Sequence, residues 1–217
     1  MKNPIIHVLG CTAILLASGC KGSLQEEAPA SVEVSEMAGV SIPDGAVMAA
    51  DFTLTDTDGQ EHQLFEYLDA DKTVVLEWFN PQCPVSRRYH SPERVMAAAH
   101  DEIAGDDIVW LAINSGAEGN QGHGLDVNRQ AISDWAISYP VLIDESGTVG
   151  HAFGAKTTPH MFVIRPDRVI AYDGAIDDSA GQGAGNENLV VSAVSACRMG
   201  EMPANSRNRA FGCSVKY

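Results

Sequence analysis

The residue with the clearest capacity for chemistry is Cys83, in the segment Glu77-Trp-Phe-Asn-Pro-Gln-Cys-Pro-Val-Ser86. A buried strand is predicted to end before Cys83 and a helix to begin after it, with Pro84 at the first helical position. The unpaired N–H groups and the dipole of such a helix favour negative charge, which lowers the pKa of a thiol at its start. We therefore predict that Cys83 is a nucleophilic thiolate; an inert, buried structural cysteine is the alternative.

Two neighbours of Cys83 are expected to stabilise this thiolate. Ser86 is placed to hydrogen-bond the sulfur, and Arg87 lies one turn further on, followed by Arg88, where it adds positive charge. Ser86 also occupies the position of the second cysteine in a Cys-x-x-Cys pair. The site therefore cannot form a local disulfide, and a mixed disulfide or sulfenate on Cys83 needs a partner thiol from elsewhere.

The other cysteines offer two pairings. Once a predicted export signal has removed Cys11 and lipid has modified Cys20, Cys83, Cys197 and Cys213 remain. Cys213, in a Gly-Cys-Ser tail that we expect to be flexible, is a candidate to resolve Cys83. The other possibility is a static Cys197–Cys213 disulfide, which would tie the tail to the last helix and stabilise the fold by about 3 kcal/mol.

Two histidines are candidates to approach Cys83. His90 lies seven residues later on the same predicted helix face, and His160 follows Pro159. A thiolate with two imidazoles is a donor set that copper accepts. A copper site of Cys83, His90 and His160 is therefore an alternative, while the leading interpretation has no metal and no cofactor. His160 is also a candidate to tune the pKa of Cys83 or to form an ordinary surface hydrogen bond.

Strands and helices alternate along the chain in the order needed to position these residues. Apolar runs, periodicity and turn signals predict strands at 73–79, 108–113, 139–143, 161–164 and 169–172, helices at 84–103, 127–137 and 188–199, and a hairpin around Asp58-Gly59. This order predicts an α/β fold with a central mixed β-sheet flanked by helices on both faces.

The N-terminal segment has the features of an export signal. Lys2 precedes a short apolar stretch, and Leu15-Leu-Ala-Ser-Gly-Cys20 resembles a bacterial lipobox. We therefore predict a signal peptide at 1–19, a lipidated Cys20, a flexible acidic tether at 20–45 and a folded domain at 46–217. Lipid would anchor the protein in the cell envelope, facing the periplasm, and Lys21 favours the outer membrane. Ordinary signal cleavage, with Cys20 incidental, is the alternative.

The chain is strongly acidic, with a formal net charge of −15 over 217 residues. Such a surface repels nucleic acid and anionic lipid headgroups. We therefore expect no nucleic-acid partner.

The segment around Cys83 resembles the active-site turn of thioredoxin-like redoxins. Thr157-Thr-Pro-His160 resembles their cis-proline segment, residues 144–154 resemble TlpA-like and AhpC/TSA domains, and Gly212-Cys-Ser-Val-Lys-Tyr217 is similar to the tail of a secreted redoxin subgroup. The resemblance implies a thioredoxin-like fold and thiol–disulfide oxidoreductase activity with Cys83 as the nucleophile. It also implies that Pro159 shapes the substrate groove. The implied partners are a disulfide-bearing protein, a small thiol or a hydroperoxide.

One departure separates the chain from the peroxiredoxin pattern Pro-x-x-x-Thr/Ser-x-x-Cys. Leu76 and Asn80 stand at the proline and hydroxyl positions, so the usual site that positions hydroperoxide is missing. A divergent thiol peroxidase therefore remains an alternative to the oxidoreductase. A binding module that holds copper or a protein without turnover is the other.

Overall fold

The structure is a computed structural model that describes residues 45–182 and 184–217. Its strands are β1 (Thr53–Asp56), β2 (Glu61–Gln63), β3 (Thr73–Trp78), β4 (Ile108–Asn114), β5 (Val141–Ile143), β6 (Thr157–Thr158), β7 (His160–Ile164), β8 (Ile170–Gly174) and β9 (Cys213–Ser214). Its helices are α1 (Leu64–Asp69), α2 (Pro84–His90), α3 (Val95–Ile103), α4 (Leu125–Trp135), α5 (Thr148–Phe153) and α6 (Leu189–Arg198).

Seven strands form one mixed sheet in the order β2-β1-β5-β4-β3-β7-β8. The central strands β3, β4 and β5 are parallel, whereas β1, β2, β7 and β8 join them in antiparallel pairs. Every residue of β3 is buried, because helices cover both faces of the sheet at its centre. This explains the continuous apolar runs from which β3 and β4 were predicted.

Two hydrophobic cores lie on opposite faces of the sheet. Alternate side chains of β3 point to opposite faces, so that Val75 packs with α3, α4 and α6, while Val74 and Leu76 pack with α1 and α5. A mixed sheet between two helical layers confirms the predicted α/β architecture.

The long helix predicted over 84–103 is wrong: the chain forms two helices, α2 and α3, with a break between them. Ser91 is extended, with φ −154° and ψ 124°, and Pro92 follows it. Proline has no N–H to donate, and it disfavours helical geometry in the residue before it. The helix therefore ends at His90, and the apolar stripe of 95–103 belongs to a separate helix.

Other differences concern short elements and element ends. The hairpin at Asp58-Gly59 is present as β1 and β2, and the remaining predicted elements are present with ends shifted by one or two residues. The exceptions are α1, α5 and the strands β6 and β9, which were not predicted. Each has six residues or fewer, too few to show a hydrophobic period.

The predicted signal peptide, Cys20 and the tether up to residue 44 lie outside the described residues. Within the described part, no helix is both long enough and apolar enough to cross a membrane.

Candidate active site

Cys83 lies in the turn that connects β3 to α2, at the carboxyl end of the parallel strands. Phe79 extends β3 by donating its N–H to the Ile113 carbonyl at 2.8 Å. Asn80 then closes the turn, since its side-chain oxygen accepts the Gln82 N–H at 2.8 Å and its carbonyl accepts the Cys83 N–H at 3.1 Å. Asparagine suits this position because its short amide bonds to nearby backbone groups. The turn holds Cys83 as the N-cap of α2, with Pro84 first in the helix.

The Cys83 thiol is fully buried between the start of α2 and the segment before Pro159. It donates to the Thr158 carbonyl at 3.0 Å and accepts the Ser86 backbone N–H at 3.5 Å. The Thr158–Pro159 peptide is cis. The structure therefore places the cis-proline segment against Cys83.

Contacts around the thiol hold the pKa of Cys83 below its usual value. Burial alone raises the pKa of this thiol, but the neighbouring Cys213 and Thr158 side chains and the backbone N–H groups of Ser86 and Cys213 outweigh that effect. Burial, together with the neighbouring Cys83, raises the pKa of Cys213 to about 11. Of these two thiols, Cys83 is therefore the one that ionises first, as a nucleophile requires.

Cys213 lies beside Cys83 because the C-terminal tail forms a strand against the cis-proline segment. β9 pairs antiparallel with β6, with Cys213 opposite Thr158 and Ser214 opposite Thr157. A Cβ atom at Gly212 would overlap the Thr158 carbonyl, so only glycine permits this close approach.

The tail is docked along its length, and the expectation that it is flexible is wrong. The Val215 N–H donates to the Lys156 carbonyl at 3.1 Å. The Tyr217 ring lies on Gly147 and Gly150, where a Cβ atom would come within 2.6 Å of the ring, and its hydroxyl donates to the Ala155 carbonyl at 2.8 Å. Tyr217 therefore anchors the strand that carries Cys213.

The static Cys197–Cys213 disulfide is contradicted, because both thiols are free and lie at opposite ends of the sheet. The next residue, Arg198, forms an ion pair with Asp107, which precedes the first residue of β4. Cys213 lies instead beyond the last residue of β3, and the six residues of β3 span about 17 Å. A disulfide requires Cα atoms within about 7 Å.

Ser86 and Arg87 do not stabilise the thiol in the way that was predicted. Ser86 reaches Cys83 through its backbone N–H, while its buried hydroxyl has no hydrogen-bond partner. Arg87 is exposed and lines a separate groove beside α4, whereas the hydrogen bonds of the Cys83 sulfur go to Thr158 and Ser86. Neighbouring Arg88 donates to the Gly181 carbonyl. Hydrogen bonds, rather than arginine charge, therefore lower the pKa of Cys83.

His90 is buried away from the thiol. Its Nε2 lies 2.8 Å from a carboxylate oxygen of the fully buried Glu77, and Tyr139 donates to the other oxygen at 2.9 Å. The ring also stacks on Trp135. His90 therefore completes a buried polar network under the sheet.

His160 is committed to other partners as well. Its Nε2 lies 2.7 Å from Asp173, and its Nδ1 accepts the Lys156 N–H at 3.2 Å. Within the described residues, no three histidine, cysteine or acidic side chains converge on one point. The copper site of Cys83, His90 and His160 is therefore contradicted by the structure.

Three residues of the site escaped the sequence analysis: Thr158 as the acceptor of the Cys83 thiol, Gly212 at the close approach, and Tyr217 as the anchor. Their signals were present but ambiguous. A residue before a cis-proline, a glycine beside a cysteine and a terminal aromatic side chain gain meaning only once the tail is seen to return to β6.

Comparisons with known proteins agree with this architecture. The model of the AhpC/TSA family matches residues 46–173. A hypothetical protein from Sinorhizobium meliloti 1021 is 24% identical, with a TM-score of 0.66 over 79% of this chain and 93% of that chain. An uncharacterized conserved protein from Geobacillus kaustophilus is 22% identical, with a TM-score of 0.65 over 79% and 91%. No protein among the curated ones matches.

The fold and the cysteine site define a redoxin with a thioredoxin-like fold. Because the family model covers more than half of the chain, the protein belongs to the AhpC/TSA family.

Proposed function

We propose that this protein is a thiol–disulfide oxidoreductase of the cell envelope in which Cys83 is the nucleophile and Cys213 the resolving thiol. The observation that carries the proposal is that Cys213 lies opposite Thr158 in the β6–β9 pairing, while the Thr158 carbonyl accepts the Cys83 thiol at 3.0 Å; each thiol also shifts the pKa of the other. Pro159, next to Thr158 in this pairing, borders the groove in which a substrate meets Cys83.

The reaction proceeds in two exchanges. The Cys83 thiolate attacks one sulfur of a substrate disulfide, which forms a mixed disulfide and releases the other substrate sulfur as a thiolate. Cys213 then loses its proton and attacks Cys83, which forms the Cys83–Cys213 disulfide and releases the second substrate thiolate. Two electrons pass from the two cysteines to the substrate.

The first exchange itself activates Cys213. After burial, the causes that raise the pKa of Cys213 are its hydrogen bond and its charge interaction with Cys83. Both are lost when Cys83 enters a mixed disulfide, so the pKa of Cys213 falls when this thiol must attack. Since Cys83 is fully buried, the tail has to move aside to admit the substrate and return to resolve it.

A disulfide-bearing protein is the proposed substrate, and trapping tests it. A Cys213→Ala variant has no resolving thiol and should accumulate mixed disulfides in an envelope extract, released by reductant. A matched Cys197→Ala variant keeps both active thiols and should accumulate none. Equal trapping by the two variants would overturn the assignment of Cys213.

A thiol peroxidase is the second candidate, because the hydroxyl of Ser86 at the site is buried without a hydrogen-bond partner. It is free to bond the oxygen of a Cys83 sulfenate, which would form as hydroperoxide loses its terminal oxygen to the thiolate. Two side chains argue against this candidate. Leu76 packs in the core, and the Asn80 amide is already hydrogen-bonded to the Gln82 N–H and the Gln121 carbonyl, so neither is available to bind hydroperoxide. Disulfide exchange is therefore the leading function.

The proposed location rests on the sequence before the folded domain. The lipobox ending at Cys20 supports a lipid anchor, and the segment after it supports a tether that holds the domain off the membrane, facing the periplasm. A Cys20→Ala variant should leave the membrane fraction, whereas Cys197→Ala should remain in it.

A further inference from the structure

A cavity of about 720 Å³ lies beside the docked tail. Its wall consists of Phe153, Gly154, Lys156, Thr157, His160, Asp173, Arg207, Asn208, Arg209, Ala210, Phe211 and Gly212. This volume is within the range of sites that bind small molecules.

The charge of the cavity is opposite to that of the molecule. Three cationic side chains line it, against the single carboxylate of Asp173. That carboxylate is already held by His160 at 2.7 Å and by Arg207 at 3.0 Å. Among the described residues, Lys156 and Arg209 have no carboxylate partner within 4.0 Å. A local excess of positive charge in a chain of net charge −15 favours an anionic ligand.

His160 is held in the wall of the cavity by two contacts: its Nδ1 accepts the Lys156 backbone N–H at 3.2 Å, and its Nε2 lies 2.7 Å from Asp173. The apolar part of the wall comes from Phe153 and Phe211, and the Arg209 guanidinium lies 5.4 Å from the centre of the Phe211 ring. The cavity therefore suits a small organic anion with an apolar stem.

The wall of the cavity is also the backbone that holds the resolving thiol. The Lys156 carbonyl accepts the Val215 N–H, Thr157 pairs with Ser214, and Gly212 directly precedes Cys213. A ligand in the cavity therefore lies next to the strand that carries Cys213.

We propose that this cavity binds the carboxylate of a small thiol that reduces the Cys83–Cys213 disulfide. The proposal rests on the function proposed above. The ligand thiolate attacks the Cys213 sulfur, because Cys83 is the more buried of the two, and Cys83 leaves as a thiolate. A second thiol attacks the new mixed disulfide and releases the Cys213 thiolate. The two thiols supply the two electrons and leave as their own disulfide.

The test measures how fast the oxidised full chain is reduced by mercaptopropionate, mercaptoethanol and cysteamine, which are anionic, neutral and cationic thiols. Each rate is divided by the rate of the same thiol with a small linear disulfide, which removes differences in nucleophilicity. The variants Lys156→Gln and Arg209→Gln each remove one cation from the cavity. Lys72→Gln removes one at the other end of β3 and is the matched control.

We expect the normalised rate to be highest for mercaptopropionate and to fall with added salt. We also expect it to fall about threefold in Lys156→Gln and in Arg209→Gln, with mercaptoethanol and Lys72→Gln unaffected. If the overall charge of −15 governed the reaction instead, mercaptopropionate would be the slowest thiol and salt would accelerate its reaction. That result would overturn the proposal that the cavity binds the carboxylate. Failure of the Cys83–Cys213 disulfide to form would overturn the proposed function itself.

Discussion

Cys83 combines two properties that rarely occur together, complete burial and a lowered pKa. Burial raises the pKa of a thiol, so the lowering depends on the groups that surround the sulfur: the Cys213 thiol, the Thr158 side chain and the Ser86 N–H. The reactivity of Cys83 is therefore a property of the docked tail as much as of the helix that follows it.

The thiolate of Cys83 can be titrated by its ultraviolet absorbance, as the difference between the wild type and Cys83→Ser. We predict a midpoint below that of an ordinary thiol. In Cys213→Ala the backbone pairing of the tail keeps Cys83 buried while one donor is lost, so the midpoint should rise. An unchanged midpoint in Cys213→Ala would contradict the assigned cause.

The Ser86 hydroxyl separates the two candidate functions. Because this hydroxyl is buried without a partner, Ser86→Ala should not lower the free energy of unfolding, measured by urea denaturation. The backbone N–H that bonds Cys83 is retained, so disulfide exchange should proceed at the wild-type rate. If the chain is a peroxidase instead, oxidation of Cys83 by hydroperoxide should slow in the variant.

At this scale, the sequence identified both thiols of the site but not their environment. Cys83 was recognisable from Pro84 and the predicted strand before it, and Cys213 from its flexible-looking neighbours. The roles of Ser86 and Arg87 depended on side-chain directions, which residue spacing does not supply. His90 binds Glu77, and the burial of this acidic side chain is not evident from a strand whose other residues are mostly apolar.

The decisive element is the short pairing of β6 with β9. Two residues on each strand bring together cysteines that are 130 positions apart in the chain. The pairing depends on Gly212 for its close approach and on Tyr217 for its end anchor.

A Gly212→Ala substitution should detach this strand. The added Cβ atom meets the Thr158 carbonyl, a backbone group that cannot turn away. We expect Cys83–Cys213 disulfide formation to slow by at least about tenfold because the thiols lose their alignment, while circular dichroism shows the sheet intact. Ser214→Ala changes an exposed side chain of the same strand and should form the disulfide normally.

A Tyr217→Ala substitution should loosen the tail without blocking its return. We expect alkylation of Cys83 to accelerate by about fivefold, because local opening exposes the buried thiol more often. Tyr217→Phe keeps the ring on Gly147 and Gly150 and loses only the hydroxyl bond to Ala155, so its effect should be smaller. Equal alkylation rates in all three proteins would show that the tail does not cover Cys83.

Element prediction succeeded where the signal was local and failed where it was not. Continuous apolar runs identify β3 and β4 in the sequence, because both faces of each strand are buried. Pro92 is the local signal for the break between α2 and α3, and the prediction of a single helix rested on the apolar stripe alone. β9 has only two residues and becomes a strand solely because β6 offers it an edge.

At the scale of the whole molecule, the two ends of the sheet have different roles. The carboxyl end of β3 carries Cys83, Cys213 and the cis-proline segment. The opposite end carries Cys197, where burial raises the pKa of the thiol to about 11. Cys197 is therefore an internal reference thiol that should stay reduced and unreactive during turnover.

The central claim is that Cys83 and Cys213 form the redox pair, and disulfide mapping by mass spectrometry tests it most directly. The reduced chain is exposed to an oxidised protein substrate, alkylated at once and digested. The account predicts one cross-linked peptide pair, joining Cys83 to Cys213, with Cys197 alkylated. A Cys197–Cys213 link, or a Cys213 that stays free while Cys83 is oxidised, would contradict it.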